Sequence, residues 1–176
     1  DWIWLAMQIK SGDTRNDARG IGTFTMNQAT TGLGIREYRY STDMAVNPHT
    51  FGDTNDQWYN DGTTDRVDVH GSGSIWAVML WDLTWNYIDK YGYSSNIYNG
   101  TGGNNKVMRL VIDAMKLTPA NPSLIDCRNA IIQADLNTTN GQDYCMIWET
   151  FARRGLGVNA TSGSVSGVAG VQDQVE

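Results

Sequence analysis

The sequence predicts a mainly α fold with a long irregular loop region ahead of a central helix, on three observations. Residues 75–91 are apolar and tryptophan-rich, and their polar members Asp82, Asn86, Asp89 and Lys90 fall on one narrow stripe at helical spacing. Three further stretches between residues 104 and 154 repeat apolar residues with the same period. Between residues 12 and 73, by contrast, Gly, Thr, Asn and Asp dominate and no period holds.

Taken in order, residues 2–9 read as an apolar helix that stops near Lys10-Ser11-Gly12. It opens without a cap, which predicts that residue 1 falls inside a longer helix. The region that follows is punctuated by Asn47-Pro48 and Asp61-Gly62, both turn-forming, and loops of that length tend to line or cover a site. His70, one of two histidines, stands at its end. Gly71 and Gly73 let the backbone bend there, so the helix is expected to begin at Ile75, with His70 a loop residue presented to a cleft. A helix apolar around most of its circumference belongs inside a domain, so Trp76, Trp81 and Trp85 are core residues first and substrate-stacking residues second. Pro119 ends the helix predicted over 104–117. Asn121 fits as N-cap, with Pro122 at the first helical position, for a helix over 121–136. The last helix, over 142–154, carries the stripe Tyr144, Ile147, Trp148 and Phe151 and closes on a basic turn, Arg153 and Arg154, with a glycine stop at Gly155. Residues 158–176 are Gly, Ser and Val without helical period. The expected organisation is a helical subdomain over 1–157 and a tail or linker over 158–176.

A chain of 176 residues, 40% hydrophobic and 10% aromatic, suits one globular domain with a real core. No run of eighteen apolar residues occurs, and the first ten residues lack a signal-peptide pattern. The net charge of −6 comes from dispersed acids, and basic residues gather only at Arg153 and Arg154, which argues against nucleic acid as a partner. Cys127 and Cys145 lie in successive helical segments, a separation that a disulfide of suitable geometry would close for roughly 3 kcal/mol. Three Asn-x-Thr triplets, at Asn99, Asn137 and Asn159, would be glycan acceptors in a eukaryotic secretory pathway, although so short a pattern also arises by chance.

Several ordered strings carry a family resemblance: Lys10-Ser-Gly-Asp-Thr, Gly34-Ile-Arg-Glu-Tyr-Arg-Tyr-Ser-Thr-Asp-Met, Val69-His-Gly, Trp76-Ala-Val-Met-Leu-Trp-Asp, Asp89-Lys-Tyr-Gly, Tyr98-Asn-Gly-Thr-Gly-Gly-Asn and Phe151-Ala-Arg-Arg-Gly-Leu-Gly. Together they resemble the fungalysin family of secreted zinc metallopeptidases, from residue 1 to about residue 157. The resemblance implies a thermolysin-like architecture, two subdomains flanking a zinc cleft, of which this chain matches the helical C-terminal half. It also implies an extracellular enzyme, a protein or peptide substrate, and zinc in the complete enzyme. The family's His-Glu-x-x-His motif, with two zinc ligands and the general base, occurs nowhere in this chain. No zinc is therefore expected on this chain alone, which is expected to be inactive without a partner, the missing N-terminal subdomain that carries the motif.

The resemblance assigns roles to four residues. Asp1 matches an acid that orients a zinc-ligating imidazole through its other nitrogen. His70 matches a histidine that donates a hydrogen bond to the oxyanion formed at the peptide carbonyl, a contribution of about 3 kcal/mol. Asp65 matches a carboxylate that holds this histidine in the right tautomer; Asp68 competes for the job, and a loop-capping role is the alternative for Asp65. Arg36 matches an arginine that contacts the substrate carbonyl, with Arg39 close by; for either, an ion pair that pins a loop is the competing reading. His49 matches no ligand, and the spacing of Asp53, Asp56 and Asp61 misses the regular calcium-loop pattern, which makes them solvated turn acids. A second function class is a non-catalytic binding module without metal, for which seven Trp and eight Tyr offer stacking surfaces. A carboxylate-pair glycosidase ranks last, because no pair of acids asks for it.

Overall fold

The computed structural model describes residues 1–63, 65–165 and 172–175. Among them the fold is mainly helical, as the periodicity requires: α1 (Trp2–Met7), α2 (Val69–Tyr91), α3 (Gly103–Leu117), α4 (Leu124–Thr139) and α5 (Tyr144–Ala152). A 3-10 turn, Gly52–Asp56, and two antiparallel hairpins complete it: β1 (Trp58–Asn60) with β2 (Asp65–Val67), and β3 (Thr161–Val165) with β4 (Gln172–Val175). The chain divides into two compact units.

The first unit comprises Asp1–Pro48 and Ala77–Ile112. Its centre is the α2 stretch where Val78, Met79, Trp81 and Leu83 are fully or almost fully buried, beside Trp2, Leu5 and Val107. The tryptophans expected in the core are there: Trp81 and Trp85 meet edge to face at 5.8 Å. The polar stripe of α2 divides. Asp82 is buried, whereas Asp89 is exposed, and Arg15 reaches both Asp89 (2.5 Å) and Asn86 (3.0 Å) from the irregular region. Trp2 Nε1 donates to Thr84 Oγ1 at 2.8 Å, which fixes the start of α1, and Tyr93 donates to the Ile9 carbonyl just past its end at 2.7 Å.

The second unit comprises His49–Trp76 and Asp113–Glu176. Ile75, Ile131, Ile147, Phe151 and Leu156 form its core, and Trp76 stacks on Phe151 at 5.5 Å. The basic last turn expected of the final helix is not formed, because α5 ends at Ala152 and Arg154 lies beyond it. Arg154 is wholly buried; its Nη1 donates to the His49 carbonyl at 2.8 Å and its own carbonyl accepts from Phe51 N. The start of α4 is also corrected. Asn121 has φ +54°, outside the helix, and Ser123 is the N-cap. A capping box explains the shift: Ser123 Oγ accepts from Asp126 N at 3.1 Å while the Asp126 carboxylate accepts from Ser123 N at 2.9 Å, two reciprocal bonds against the single one that Asn121 offered. Cys127 and Cys145 are free thiols rather than a disulfide. Within the segment read as a tail, β3 and β4 pair antiparallel; residues 166–171 and 176 lie outside the described ones.

Candidate active site

The helix that carries His70 begins earlier than the glycines suggest. α2 starts at Val69, so His70, Gly71 and Gly73 occupy its first turns and His70 is not a loop residue. The cause is a cap. The Asp68 carboxylate accepts from His70 N at 2.9 Å, the Asp68 carbonyl accepts from Ser72 N at 3.0 Å, and this satisfies donors that the helix start would otherwise leave open. Gly71 has a packing reason as well: a Cβ there would come within 1.7 Å of the Gln57 side-chain oxygen. Asp68 thus engages the backbone of His70. The imidazole itself is exposed and makes no hydrogen bond among the described residues.

His70 lines an open pocket of about 590 Å³, together with Asp65, Asp68, Tyr59, Val67 and neighbouring residues. The β1–β2 hairpin supplies Tyr59, Asp65 and Val67 to that lining, with Trp58 paired to Val67 and Asn60 to Asp65. Asp65 shares the pocket with His70, and its carboxylate accepts from Asn60 Nδ2 at 2.6 Å rather than from the imidazole.

In the first unit, Asp1 and Arg36 come together. The Asp1 carboxylate makes no helix-capping bond; it receives Arg36 Nε at 2.7 Å and Nη2 at 3.1 Å, a bidentate pair with both side chains mostly shielded from water. A third donor, the Tyr40 hydroxyl, reaches the same carboxylate at 2.7 Å. Two backbone bridges aim these side chains: Ile21 with Gly34, and Arg19 with Tyr40. Gly34 must be glycine, since its φ is +78° and a Cβ would stand 2.0 Å from the Ile21 carbonyl oxygen. Tyr40 is buried, and that burial pushes its phenol up to about 12 although Arg36 pulls the other way, so it remains a donor at neutral pH. The sequence reading missed Tyr40; the only signal was an aromatic of core type in an otherwise polar loop. Arg39 instead donates to the Thr31 carbonyl at 3.3 Å.

Among the described residues no group of three His, Cys, Asp or Glu side chains could hold a metal ion. His49 is buried. The acids considered for calcium serve turns where their partners are seen: Asp53 accepts from Thr50 N at 2.6 Å, and Asp61 accepts from Thr63 N and pairs with Arg66. The donors among the described residues do not fit a zinc site.

A pocket histidine at a helix start and a carboxylate–arginine–tyrosine cluster thus stand on a mainly helical scaffold. Residues 1–160 match the family model described as fungalysin metallopeptidase (M36). The chain is 41% identical over 169 residues to extracellular metalloproteinase 2 of Arthroderma gypseum and of Trichophyton tonsurans, which covers 93% of this chain and 25% of each relative. It is also 41% identical over 168 residues to extracellular metalloproteinase 4 of Trichophyton soudanense, covering 91% of this chain and 40% of that protein. The chain belongs to the fungalysin metallopeptidase family. It spans about a quarter of the length of the first of these relatives.

Proposed function

We propose that this chain is the C-terminal part of a secreted zinc endopeptidase that hydrolyses internal peptide bonds, and that it supplies one cleft wall and the oxyanion-stabilising histidine. The observation that carries this reading is His70: an exposed imidazole with no hydrogen bond among the described residues, held at an open pocket by the cap that Asp68 places on its own backbone N–H. A ring N–H kept there costs little reorganisation when the scissile carbonyl oxygen gains charge. Asp65 lines the same pocket and is the carboxylate that would set which ring nitrogen carries the proton once the two side chains meet; in this structure it accepts from Asn60 instead. Arg36 contacts a substrate carbonyl, and Asp1 holds the guanidinium and also orients a zinc-ligating imidazole from elsewhere in the protein.

Zinc and the residues that hold it belong to a part of the protein outside this sequence, in keeping with the fraction of its relatives that the chain spans. The separate chain is therefore inactive. The test is His70→Ala in the full-length protein. Loss of turnover with zinc content retained supports the reading; unchanged turnover, or no chelator-sensitive peptidase activity in the parent protein, overturns it.

A further inference from the structure

We infer that Asn99 is an N-glycan acceptor, singled out from the three Asn-x-Thr triplets by how the fold presents it. Asn99-Gly100-Thr101 lies in the loop between α2 and α3, beside Tyr98, which is 93% exposed. The loop is fastened from its backbone. Asn96 Oδ1 accepts from Tyr98 N and Asn99 N at 3.2 and 3.0 Å, the Asn96 carbonyl accepts from Gly100 N at 2.9 Å, and Asn105 Nδ2 holds the Asn96 and Ile97 carbonyls. None of these bonds uses the Asn99 side-chain amide or the Thr101 hydroxyl. Both residues are exposed and their side chains make no hydrogen bond among the described residues. The middle position is glycine for a packing reason, since a Cβ at Gly100 would come within 2.3 Å of both the Asn96 carbonyl oxygen and Ser94 Oγ.

The other triplets are tied into regular structure. Asn137 sits on α4, its Oδ1 accepts from Gln133 Nε2 at 2.8 Å, and the hydroxyl of Thr139 donates to the Asp135 carbonyl and carboxylate. The triplet at Asn159 ends in Thr161, the first residue of β3. A capped α4 with a left-handed C-cap at Asn140 carries its own start and stop signals and holds Asn137 in helical rather than extended backbone.

The co-reactant is an oligosaccharide carried on a lipid pyrophosphate. A bond forms between Asn99 Nδ2 and the anomeric carbon of the first sugar, the bond from that carbon to the pyrophosphate breaks, the pyrophosphate leaves with the electron pair, and one amide proton passes to solvent. Nothing is oxidised or reduced. A glycan here also covers the exposed Tyr98 face, an apolar area that an extracellular protein would otherwise leave in water.

The inference goes beyond the proposed activity and rests only on secretion through a eukaryotic pathway. The full-length protein is therefore expressed in yeast behind a heterologous leader, which supplies secretion whatever the native route, and its tryptic peptides are analysed before and after enzymatic deglycosylation in heavy-oxygen water. The expected result is conversion of Asn99 to heavy-labelled aspartate in most copies of the peptide from Tyr91 to Lys106, with the Asn137 peptide largely unlabelled. Asn99→Gln and Thr101→Ala should each remove one glycan from the secreted protein, and two variants guard against a folding defect in either. Recovery of Asn99 unmodified from the secreted protein overturns the inference. Equal occupancy at Asn137 overturns the argument from the fold, because the triplet alone would then decide.

Discussion

Tyr40→Phe isolates one bond in the cluster that the sequence reading missed. The substitution keeps the buried ring and removes only the hydroxyl that donates to Asp1 at 2.7 Å. A hydrogen bond to a charged acceptor contributes about 1.5–3 kcal/mol; Arg36 stays on the carboxylate, so the lower end applies, about 1.5 kcal/mol at pH 7. A second signature lies in alkali. The folded phenol is pushed up to about 12 by burial, whereas the unfolded one titrates near 10. Between about pH 10 and 12 the unfolded chain has therefore released a proton that the folded chain retains, and stability falls as pH rises through that window. Below about pH 10 both states are neutral and the phenol adds no pH dependence. The loss amounts to about 3 kcal/mol across the window, and Tyr40→Phe should lack it. Urea unfolding of the full-length protein, followed by tryptophan fluorescence from pH 7 to 11, measures both effects. Parent and variant curves that coincide at pH 7 and decline in parallel above pH 10 would refute the reasoning.

Two further perturbations test the second unit. Arg128 is buried, its Nη1 donates to the Leu156 and Gly157 carbonyls, and its guanidinium lies 4.6 Å from the Trp148 ring centre. Arg128→Ala strands two carbonyls and should cost about 3 kcal/mol, or about 6–12 °C in the melting temperature, by scanning calorimetry. Ser123→Ala breaks the α4 capping box and should cost about 1 kcal/mol. The bonds from the Ser123 side chain and backbone hold the Asp126 carboxyl below its usual range, so that stabilisation is present above about pH 4 and lost as pH falls through the lowered value. The variant should accordingly show a flatter stability profile from pH 5 downward in acid unfolding.

What was legible in the sequence follows from which forces act locally. The burial of Trp81 and Trp85 was readable because an apolar run at helical spacing has one economical place to go. Helix ends were less readable. Gly71 and Gly73 disfavour a helix by propensity, yet the Asp68 cap and the close approach of Gln57 outweighed that, and α2 gained six residues at its start. Long-range pairing was hidden altogether. The joining of Asp1, Arg36 and Tyr40 depends on backbone bridges at Ile21–Gly34 and Arg19–Tyr40, which no periodicity encodes. Arg154 shows the same limit, since a charge at a helix end looks solvated until the carbonyl that it serves, 105 residues away, is known. At the candidate site, the resemblance pointed to His70 and Asp65, and the fold places both on one pocket. It was silent on Asn60, which is the partner that Asp65 holds.

The measurement that bears most directly on the account is kcat/KM of the full-length protein against an internally cleaved peptide, for parent and His70→Ala, with zinc quantified in each preparation. The imidazole is engaged by no neighbour among the described residues, so its removal should leave the fold and the metal content intact. The expected result is a fall of roughly 10²-fold, carried mainly by kcat, with zinc unchanged, the loss of one donor to a developing oxyanion. A His70→Ala enzyme that turns over at the parent rate with its zinc in place would contradict the account.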